Sequence, residues 1–159
     1  MTSQPGQHRP QRIVVGVDGS AGSRAALRWA ADEAELHDAE LEAVMARTPQ
    51  LPMVLFGPGS IPIPTATAPL DLEKRGRKDE EVLKQILREV LGTQLPPRLT
   101  WYVMDGHPVG VLIGRTTDAD LLVVGARGEG GFTGLLTGSV SEHCVRHAAC
   151  SVVVVRPRE

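Results

Sequence analysis

Short, continuously apolar runs alternate along the chain with longer stretches in which apolar residues recur every three or four positions. Three of the runs are rich in β-branched residues: 12–18 (RIVVGVD), 119–125 (ADLLVVG) and 151–156 (SVVVVR). Such runs are typical of strands that are covered on both faces of a sheet. Two weaker runs, 40–46 and 99–104, predict two further strands.

Amphipathic segments fill the gaps between these runs. The clearest, 72–91, has its apolar residues on one face of a helix, and Gly92 follows where a helix-ending glycine belongs. Segment 23–37 carries a similar stripe, and Ser20 or Ser23 is available to cap it. The first stripe comprises Val82, Leu83, Ile86, Leu87 and Val90, and the second comprises Leu27, Ala30, Ala31 and Ala34.

Two shorter helices complete the pattern, one with Pro108 in its first turn and one over 139–148. The resulting order, β-α-β-α-β-α-β-α-β, predicts an α/β fold with a Rossmann-like, open, parallel five-stranded sheet and helices on both faces. Segment 48–69 holds six of the twelve prolines, so we predict a loop there. We expect one domain over 11–157, preceded by a polar, disordered tail over 1–10 that does not resemble a secretory signal.

Composition narrows the classes of partner. The 159 residues carry a formal net charge of −2 and only 3% aromatic residues, which gives no electrostatic or stacking footprint for nucleic acid. No apolar stretch approaches the roughly 20 residues that a membrane span needs. Cys144 and Cys150 form neither a C-x-x-C motif nor a zinc pattern, so we predict buried structural thiols in a cytoplasmic protein.

The most informative segment comes directly after the predicted strand at 119–125. Residues 125–139 read GARGEGGFTGLLTGS, and glycines leave main-chain N–H groups accessible to a phosphate chain. The next helix adds N–H donors and a partial positive charge. Asp18, at the end of the first strand, would face this loop if the two strands are neighbours. A carboxylate beside phosphates suits a ribose hydroxyl or a bound Mg²⁺.

This loop resembles the nucleotide signature of the universal stress protein family, which is G-x-x-G, nine residues, then G-[ST]. Here Gly125 and Gly128 form the first part, and nine residues later Gly138 and Ser139 form the second. The segments IVVGVDGS, GSVSEH and SVVVV are similar to the family's first strand, last helix and closing strand. The resemblance covers 12–156.

The resemblance implies a strand order of 3-2-1-4-5, ATP with Mg²⁺ at the ends of the first and fourth strands, and a homodimer formed through strand 151–156. Asp18 would contact the ribose–phosphate region directly or through a metal, Ala46 would meet adenine through its backbone, and Val124 would flank the ligand. The residues expected around the phosphates are Gly125, Arg127, Gly128, Gly138, Ser139 and Val140. Family members that do not bind ATP have lost the small residues of this loop, whereas this chain keeps them.

Simpler interpretations remain for several of these residues. Asp18 could cap the first helix, Ser139 could cap the last one, and Arg127 could be a solvated surface residue. His143 and His147 are spaced i, i+4 on one helix, but no third ligand is placed convincingly beside them. We therefore interpret both as surface or core-edge histidines.

With the glycine loop, the resemblance implies an ATP-binding protein that acts as a nucleotide-dependent stress-response sensor or regulator. No general base for attack on the γ-phosphate is evident, so hydrolysis would be slow at most. One alternative is a dimeric interaction module without a nucleotide, since an edge strand of valines would pair with a second copy. The other is an adenylate-transferring enzyme of related fold, which usually needs a Ser-Gly-Gly-x-x-Ser loop that residues 17–20 (VDGS) lack.

Overall fold

The computed structural model describes residues 10–48, 53–54, 59, 63–64, 69–128 and 138–157. Five parallel strands form its main sheet, in the spatial order β3-β2-β1-β4-β5. This order confirms the predicted 3-2-1-4-5 arrangement. The strands are β1 (Arg12–Gly16), β2 (Glu40–Arg47), β3 (Leu99–Asp105), β4 (Leu121–Gly125) and β5 (Ser151–Val155).

Helices cover both faces of the sheet, as the alternating pattern predicts. They are α1 (Ala21–His37), α2 (Pro69–Leu91), α3 (Pro108–Arg115) and α4 (Ser139–His147). Leu27 of α1 and Leu87 of α2 are buried in one core, whereas Leu112 of α3 and Cys144 of α4 are buried in the other. The strands supply both cores, which explains why their sequences are continuously apolar.

The ends of the helices agree with the local signals in the sequence. Ser20 caps α1, because its Oγ accepts a hydrogen bond of 3.2 Å from the Ser23 backbone N–H. Gly92 follows α2 with φ +93°, a left-handed conformation that a glycine adopts without strain. Pro108 is the first residue of α3.

Two details differ from the pattern. Helix α2 begins at Pro69, three residues before the predicted start, because proline is well tolerated in a first helical turn. Val82 is 41% exposed, so it lies at the margin of the apolar stripe that Leu83 and Leu87 bury.

Within the predicted loop, Met53–Val54 and Ile63–Pro64 form a short antiparallel ribbon. Residues 1–9 and most of the predicted loop lie outside the described residues.

The cysteines bear out the interpretation as structural thiols in part. Cys144 is fully buried and Cys150 is half-buried, and both are free. Burial raises the pKa of the Cys144 thiol above its ordinary value. None of the helices in the described parts of the chain combines the length and apolar content that crossing a bilayer requires.

Candidate functional site

The predicted crevice lies where β1 and β4 run side by side. Residues 13–15 of β1 pair with residues 121–123 of β4, while β2 pairs with the other side of β1. The chain connections leave in opposite directions from this point, which is where open α/β sheets bind ligands. The neighbour relation on which the Asp18 prediction depended is therefore present.

Asp18 is exposed in the turn between β1 and α1. Its Oδ1 accepts hydrogen bonds from the backbone N–H of Ser20 at 2.9 Å and from the Ser20 hydroxyl at 2.6 Å. Its Oδ2 lies against Gly128, where an added Cβ would be only 2.6 Å away. The structure thus brings Asp18 and Gly128 together, and the carboxylate also steadies the residue that caps α1.

Two glycines bring α1 and the loop after β4 into backbone contact. A Cβ on Gly125 would lie 2.5 Å from the carbonyl carbon of Gly22 and 2.7 Å from the Ser23 nitrogen. A Cβ on Gly22 would collide with the carbonyl oxygen of Arg127. Because the obstacles are backbone atoms, neither position has room for a side chain. Gly125 is therefore needed for packing, whatever it contributes to a ligand.

The start of α4 is tied to the same loop. The Gly138 N–H donates a 2.5 Å hydrogen bond to the carbonyl oxygen of Ala126. The buried Ser141 hydroxyl is also within hydrogen-bond distance of that oxygen, at 3.2 Å, and of the Gly138 oxygen, at 2.8 Å. Ser141 links the loop to the start of α4, and sequence reasoning missed this contact. Its position two residues after the Gly-Ser pair was the available signal.

The cap of α4 is Gly138 and not Ser139. No side chain among the described residues caps this helix, and Ser139 is its first helical residue. The interpretation of Ser139 as an N-cap is therefore wrong. In an α-helix the N–H groups of the first turn lack intrahelical acceptors, and those of Ser139 and Val140 belong to this set. These N–H groups lie at the start of α4, next to the hydrogen bond from Gly138 to Ala126.

Ala46 lies at the far end of β2, past the point where β1 stops. The Val44 oxygen accepts a 2.9 Å hydrogen bond from the Val17 N–H, so the peptide groups of Val44 face β1. Main-chain groups of alternate residues point to the same side of a strand, so the N–H and C=O of Ala46 face the space where β1 has turned away. The Arg47 oxygen faces the other way and accepts from Gly106 at 2.9 Å.

The remaining predicted residues take different positions. Val124 is 3% exposed, so its side chain belongs to the core and only its main chain is available to a ligand in the crevice. Arg127 is exposed on the loop between Ala126 and Gly128. Loop residues 129–137 lie outside the described residues.

The two histidines of α4 are both exposed, as we interpreted them. Their ring centroids are 6.2 Å apart, and His143 Nδ1 is 2.8 Å from the Ser139 carbonyl oxygen. Across the described parts of the chain, no three or more His, Cys, Asp or Glu side chains are grouped so that they could hold a metal ion. His143 and His147 are therefore a pair of surface histidines.

Two arginines beside the crevice were missed by sequence reasoning. Arg24 Nε donates to the Gly19 oxygen at 3.0 Å, next to Asp18, and its Nη1 contacts Glu89 at 2.7 Å. Arg47, next to Ala46, contacts Asp105 at 2.6 Å. No motif marks these residues; only their places at a helix start and a strand end could have drawn attention.

Comparison with known proteins gives one consistent result. The model of the Universal stress protein family matches residues 10–156. A universal stress protein of Mycobacterium tuberculosis is 32% identical over 147 residues, which are 92% of this chain and 48% of that protein. One from Mycolicibacterium smegmatis is 34% identical over 143 residues, 90% of this chain and 47% of its own length. The chain spans about half the length of these curated relatives.

Solved structures agree on the fold. The universal stress protein UspA from Lactobacillus plantarum has a TM-score of 0.70 at 25% identity, covering 93% of this chain and 99% of its own. A universal stress protein in complex with cAMP has a TM-score of 0.67 at 24% identity, covering 94% and 99%. One from Archaeoglobus fulgidus in complex with dAMP has a TM-score of 0.57 at 21% identity, covering 91% and 96%.

Proposed function

Because this chain belongs to the universal stress protein family, we propose that it binds ATP with Mg²⁺ at the carboxyl ends of β1, β2 and β4. We further propose that it acts as a nucleotide-dependent regulator in a stress response and hydrolyses ATP slowly at most. The observation that carries the proposal is the approach of the Asp18 carboxylate to the bare backbone of Gly128. Both strands at the point where strand order reverses thereby contribute to one crevice.

We call the proposed nucleotide site the seat. Its phosphate end is built from main-chain donors. Gly138 holds the start of α4 against the loop after β4, because its N–H donates to the Ala126 oxygen. The donors of this region are the first-turn N–H groups of Ser139 and Val140 and the bare backbone at Gly128. Amides at a helix start favour an anion, and absent side chains allow it to approach closely. The guanidinium of Arg127, carried on the same loop, suits phosphate oxygens.

The nucleoside end is the open backbone of Ala46. One residue there offers an N–H donor and a C=O acceptor on the same side of β2. The Watson–Crick edge of adenine offers the complementary pair, an amino donor and a ring-nitrogen acceptor. The structural relatives whose ligands are cAMP and dAMP share adenine with ATP, which supports an adenine base here.

Asp18 fits a magnesium ion held jointly with phosphate oxygens. Mg²⁺ in nucleotide sites uses one or two carboxylates and completes its shell with phosphates and water. Oδ1 of Asp18 is fixed by its two hydrogen bonds from Ser20, which orients Oδ2 toward Gly128. The ion would neutralise charge on the triphosphate that the carboxylate alone would repel.

We also propose a homodimer in which β5 pairs with β5 of a second copy, in a reducing cytoplasm that keeps both cysteines free. The Val155 oxygen accepts from the Ala126 N–H at 2.8 Å, so Val155 and Val153 face β4. By alternation, the peptide groups of Val152 and Val154 face outward from the edge of the sheet. An edge of this kind is a template for pairing with another strand.

Thermal unfolding with and without Mg-ATP tests the nucleotide proposal. Millimolar Mg-ATP should raise the melting temperature, because a ligand at 100 times its Kd stabilises the fold by about 2.7 kcal/mol. The shift should be lost in Asp18→Ala and in Gly128→Ala, whose new Cβ meets the Asp18 carboxylate. Gly114→Ala is the matched control, because its Cβ would enter open space.

Three outcomes would contradict the proposal. A wild-type protein that shows no shift and no adenine absorbance would indicate an interaction module without a nucleotide. Release of pyrophosphate in the presence of an acyl acceptor would indicate an adenylate-transferring enzyme. A full shift in both Asp18→Ala and Gly128→Ala would place the nucleotide elsewhere on the molecule.

A further inference from the structure

Helix α2 extends past the carboxyl edge of the sheet. As a crossover between parallel strands it runs against their direction, and its 23 residues span about 34 Å. Asp79, well inside the helix, already contacts Arg47 at the last residue of β2, with 3.4 Å between Oδ2 and Nη1. The turns that precede Asp79 therefore project beyond the edge, beside the end of β2.

Arg47 joins three elements at this point. Its Nε and its Nη2 each lie 2.6 Å from Asp105 Oδ1 at the end of β3, and its Nη1 reaches Asp79 of α2. Gly76, one turn earlier on α2, leaves room for the guanidinium, since a Cβ there would be 3.4 Å from Nη1. A single side chain thus fixes the distance between the projecting part of α2 and the β2 end that carries Ala46.

The Arg47 guanidinium stays positively charged in its contacts with Asp105 and Asp79. The hydrogen bond with Asp105 raises the pKa of Arg47 above its ordinary value; partial burial opposes this, and Asp79 adds to the rise. The Arg47 and Asp79 side chains are 25% and 35% exposed, so this ion pair is partly shielded from solvent, whereas Asp105 is 58% exposed.

A second arginine links the same helix to the turn between β1 and α1. Arg24 contacts Glu89 of α2 and donates to the Gly19 oxygen in the turn that carries Asp18. Gly19 itself packs toward α2, since a Cβ there would be 3.5 Å from Ile86 Cδ1. The two ties serve different ends of the seat: Arg24 supports the Asp18 turn, and Arg47 supports the strand end with the open Ala46 backbone.

We propose that Arg47 is a positioning residue for the nucleoside: it holds the projecting turns of α2 as a wall beside the Ala46 backbone without contacting the phosphates. This inference rests on the proposed function. A base at Ala46 binds more tightly when a fixed surface packs against it, because ordering a loose wall on binding would consume part of the affinity. The triphosphate meets Gly128, Asp18 and the start of α4, none of which Arg47 contacts in the described residues.

Titration calorimetry with two probes separates the two ends of the seat. Mg-ATP reports on the whole seat, and magnesium with inorganic tripolyphosphate reports on the phosphate end alone. We expect Arg47→Gln to weaken Mg-ATP binding about tenfold and to leave tripolyphosphate binding within about twofold. Arg24→Gln also loosens a contact with α2 but should weaken both probes by a similar factor.

Two further variants complete the design. Asp79→Asn should weaken Mg-ATP binding, as Arg47→Gln does. The double variant should bind Mg-ATP no more weakly than Arg47→Gln alone, because both substitutions remove the contact between Arg47 and Asp79. Arg98→Gln is the matched control: it removes an arginine paired with Asp38 before β3, at the opposite edge, and should change neither probe.

The outcomes discriminate between the two proposals. If the wild-type protein binds neither probe, the proposed function fails and the inference fails with it. If the wild-type protein binds Mg-ATP but Arg47→Gln binds it equally well, only the inference is overturned. An equal loss of both probes in Arg47→Gln would also overturn it, because that result shows general loosening and not a role at the nucleoside end.

Discussion

At the amino edge of the sheet the carboxylate of Glu42 is buried between two arginines, whereas at the carboxyl edge the carboxylate of Asp18 is exposed beside a glycine. Arg115 reaches Glu42 with Nε at 2.5 Å and Nη2 at 2.6 Å, and Arg12 reaches it with Nη2 at 2.7 Å. The Arg115 guanidinium also lies 5.2 Å from the ring centre of Tyr102. The charge at this edge is satisfied inside the protein.

At the carboxyl edge, polar groups of Asp18 and Ala46 face the crevice. Asp18 uses Oδ1 locally and presents Oδ2 to the loop, while Ala46 presents its peptide groups to the space beyond β1. The same strands reach both edges, so the difference comes from the side chains that line each edge. Around Glu42, long paired side chains close the amino edge. Around Asp18, glycines leave the carboxyl edge open, and the ion pairs of Arg47 lie further along that edge, at the end of β2.

The comparison teaches how to recognise a charge that belongs to the fold. Burial alone would raise the pKa of Glu42, but hydrogen bonds from Arg115 and Arg12 outweigh it and lower that pKa below its ordinary value. A carboxylate stabilised in this way is part of the fold. Asp18 is exposed and lies outside this buried cluster. We expect substitution of Asp18 to change nucleotide binding, whereas substitution of Glu42 changes the free energy of unfolding.

The largest effect should come from breaking the amino edge. Glu42→Gln removes the charge that Arg12 and Arg115 share, and loss of one partner from a mostly buried ion cluster costs about 3 kcal/mol of unfolding free energy. Urea denaturation measures this loss, while Mg-ATP affinity should stay unchanged. Glu142→Gln is the control, because its exposed pair with Arg146 contributes about 0.5 kcal/mol or less. Equal losses in the two variants would contradict a structural role for the cluster.

A change at the carboxyl edge should damage both fold and binding only where glycines touch backbone. Gly125→Ala places a Cβ against Gly22 and Ser23, so α1 must shift, and overpacking of this kind costs about 2 kcal/mol. Mg-ATP binding should be lost as well. Gly110→Ala in α3 meets no neighbour and should gain up to about 1 kcal/mol. If Gly125→Ala kept wild-type stability, the close packing of α1 on the loop would be wrong.

Much of the fold could be predicted because its signals are local. The runs at β1, β4 and β5 are apolar without interruption, and serine, glycine and proline stand at helix ends as capping rules expect. The Gly-Ser pair and the spacing after Gly125 predicted where a phosphate seat would lie. Asp18 and Gly128, 110 positions apart, could be joined only through the strand order that the family resemblance supplied.

The features that escaped prediction depend on contacts between distant segments. Glu42 sits inside a strand among apolar residues, and nothing in its neighbourhood shows that two arginines from β1 and α3 will surround it. Arg47 was equally invisible, since its partners come from β3 and α2. Side-chain pairs across elements depend on tertiary geometry, and a periodic pattern does not encode them.

Acid should reduce the stabilising effect of Glu42 at the amino edge. The folded-state pKa of Glu42 lies below its ordinary value of 4.5, so its stabilising effect is fully present above that pH and is lost as the pH falls through the folded-state pKa. The stability difference between the wild-type protein and Glu42→Gln should therefore be constant from about pH 7 to pH 5 and shrink below that range. Denaturation curves at several pH values measure it. A difference that grows in acid would contradict the lowered pKa.

The smallest effect on the monomer should come from the lateral edge, where β5 has outward peptide groups of its own. Val154→Pro removes one outward N–H and leaves the bonds of Val153 and Val155 to β4 intact, so the fold should survive. The proposed β5–β5 pairing loses a ladder bond and gains a steric obstacle, and sedimentation should show a monomer. Val154→Ala removes the side chain but keeps the N–H, so it should stay dimeric. A dimer that persists in Val154→Pro would show that the copies associate through another surface, and the lateral edge would then be closed in some other way.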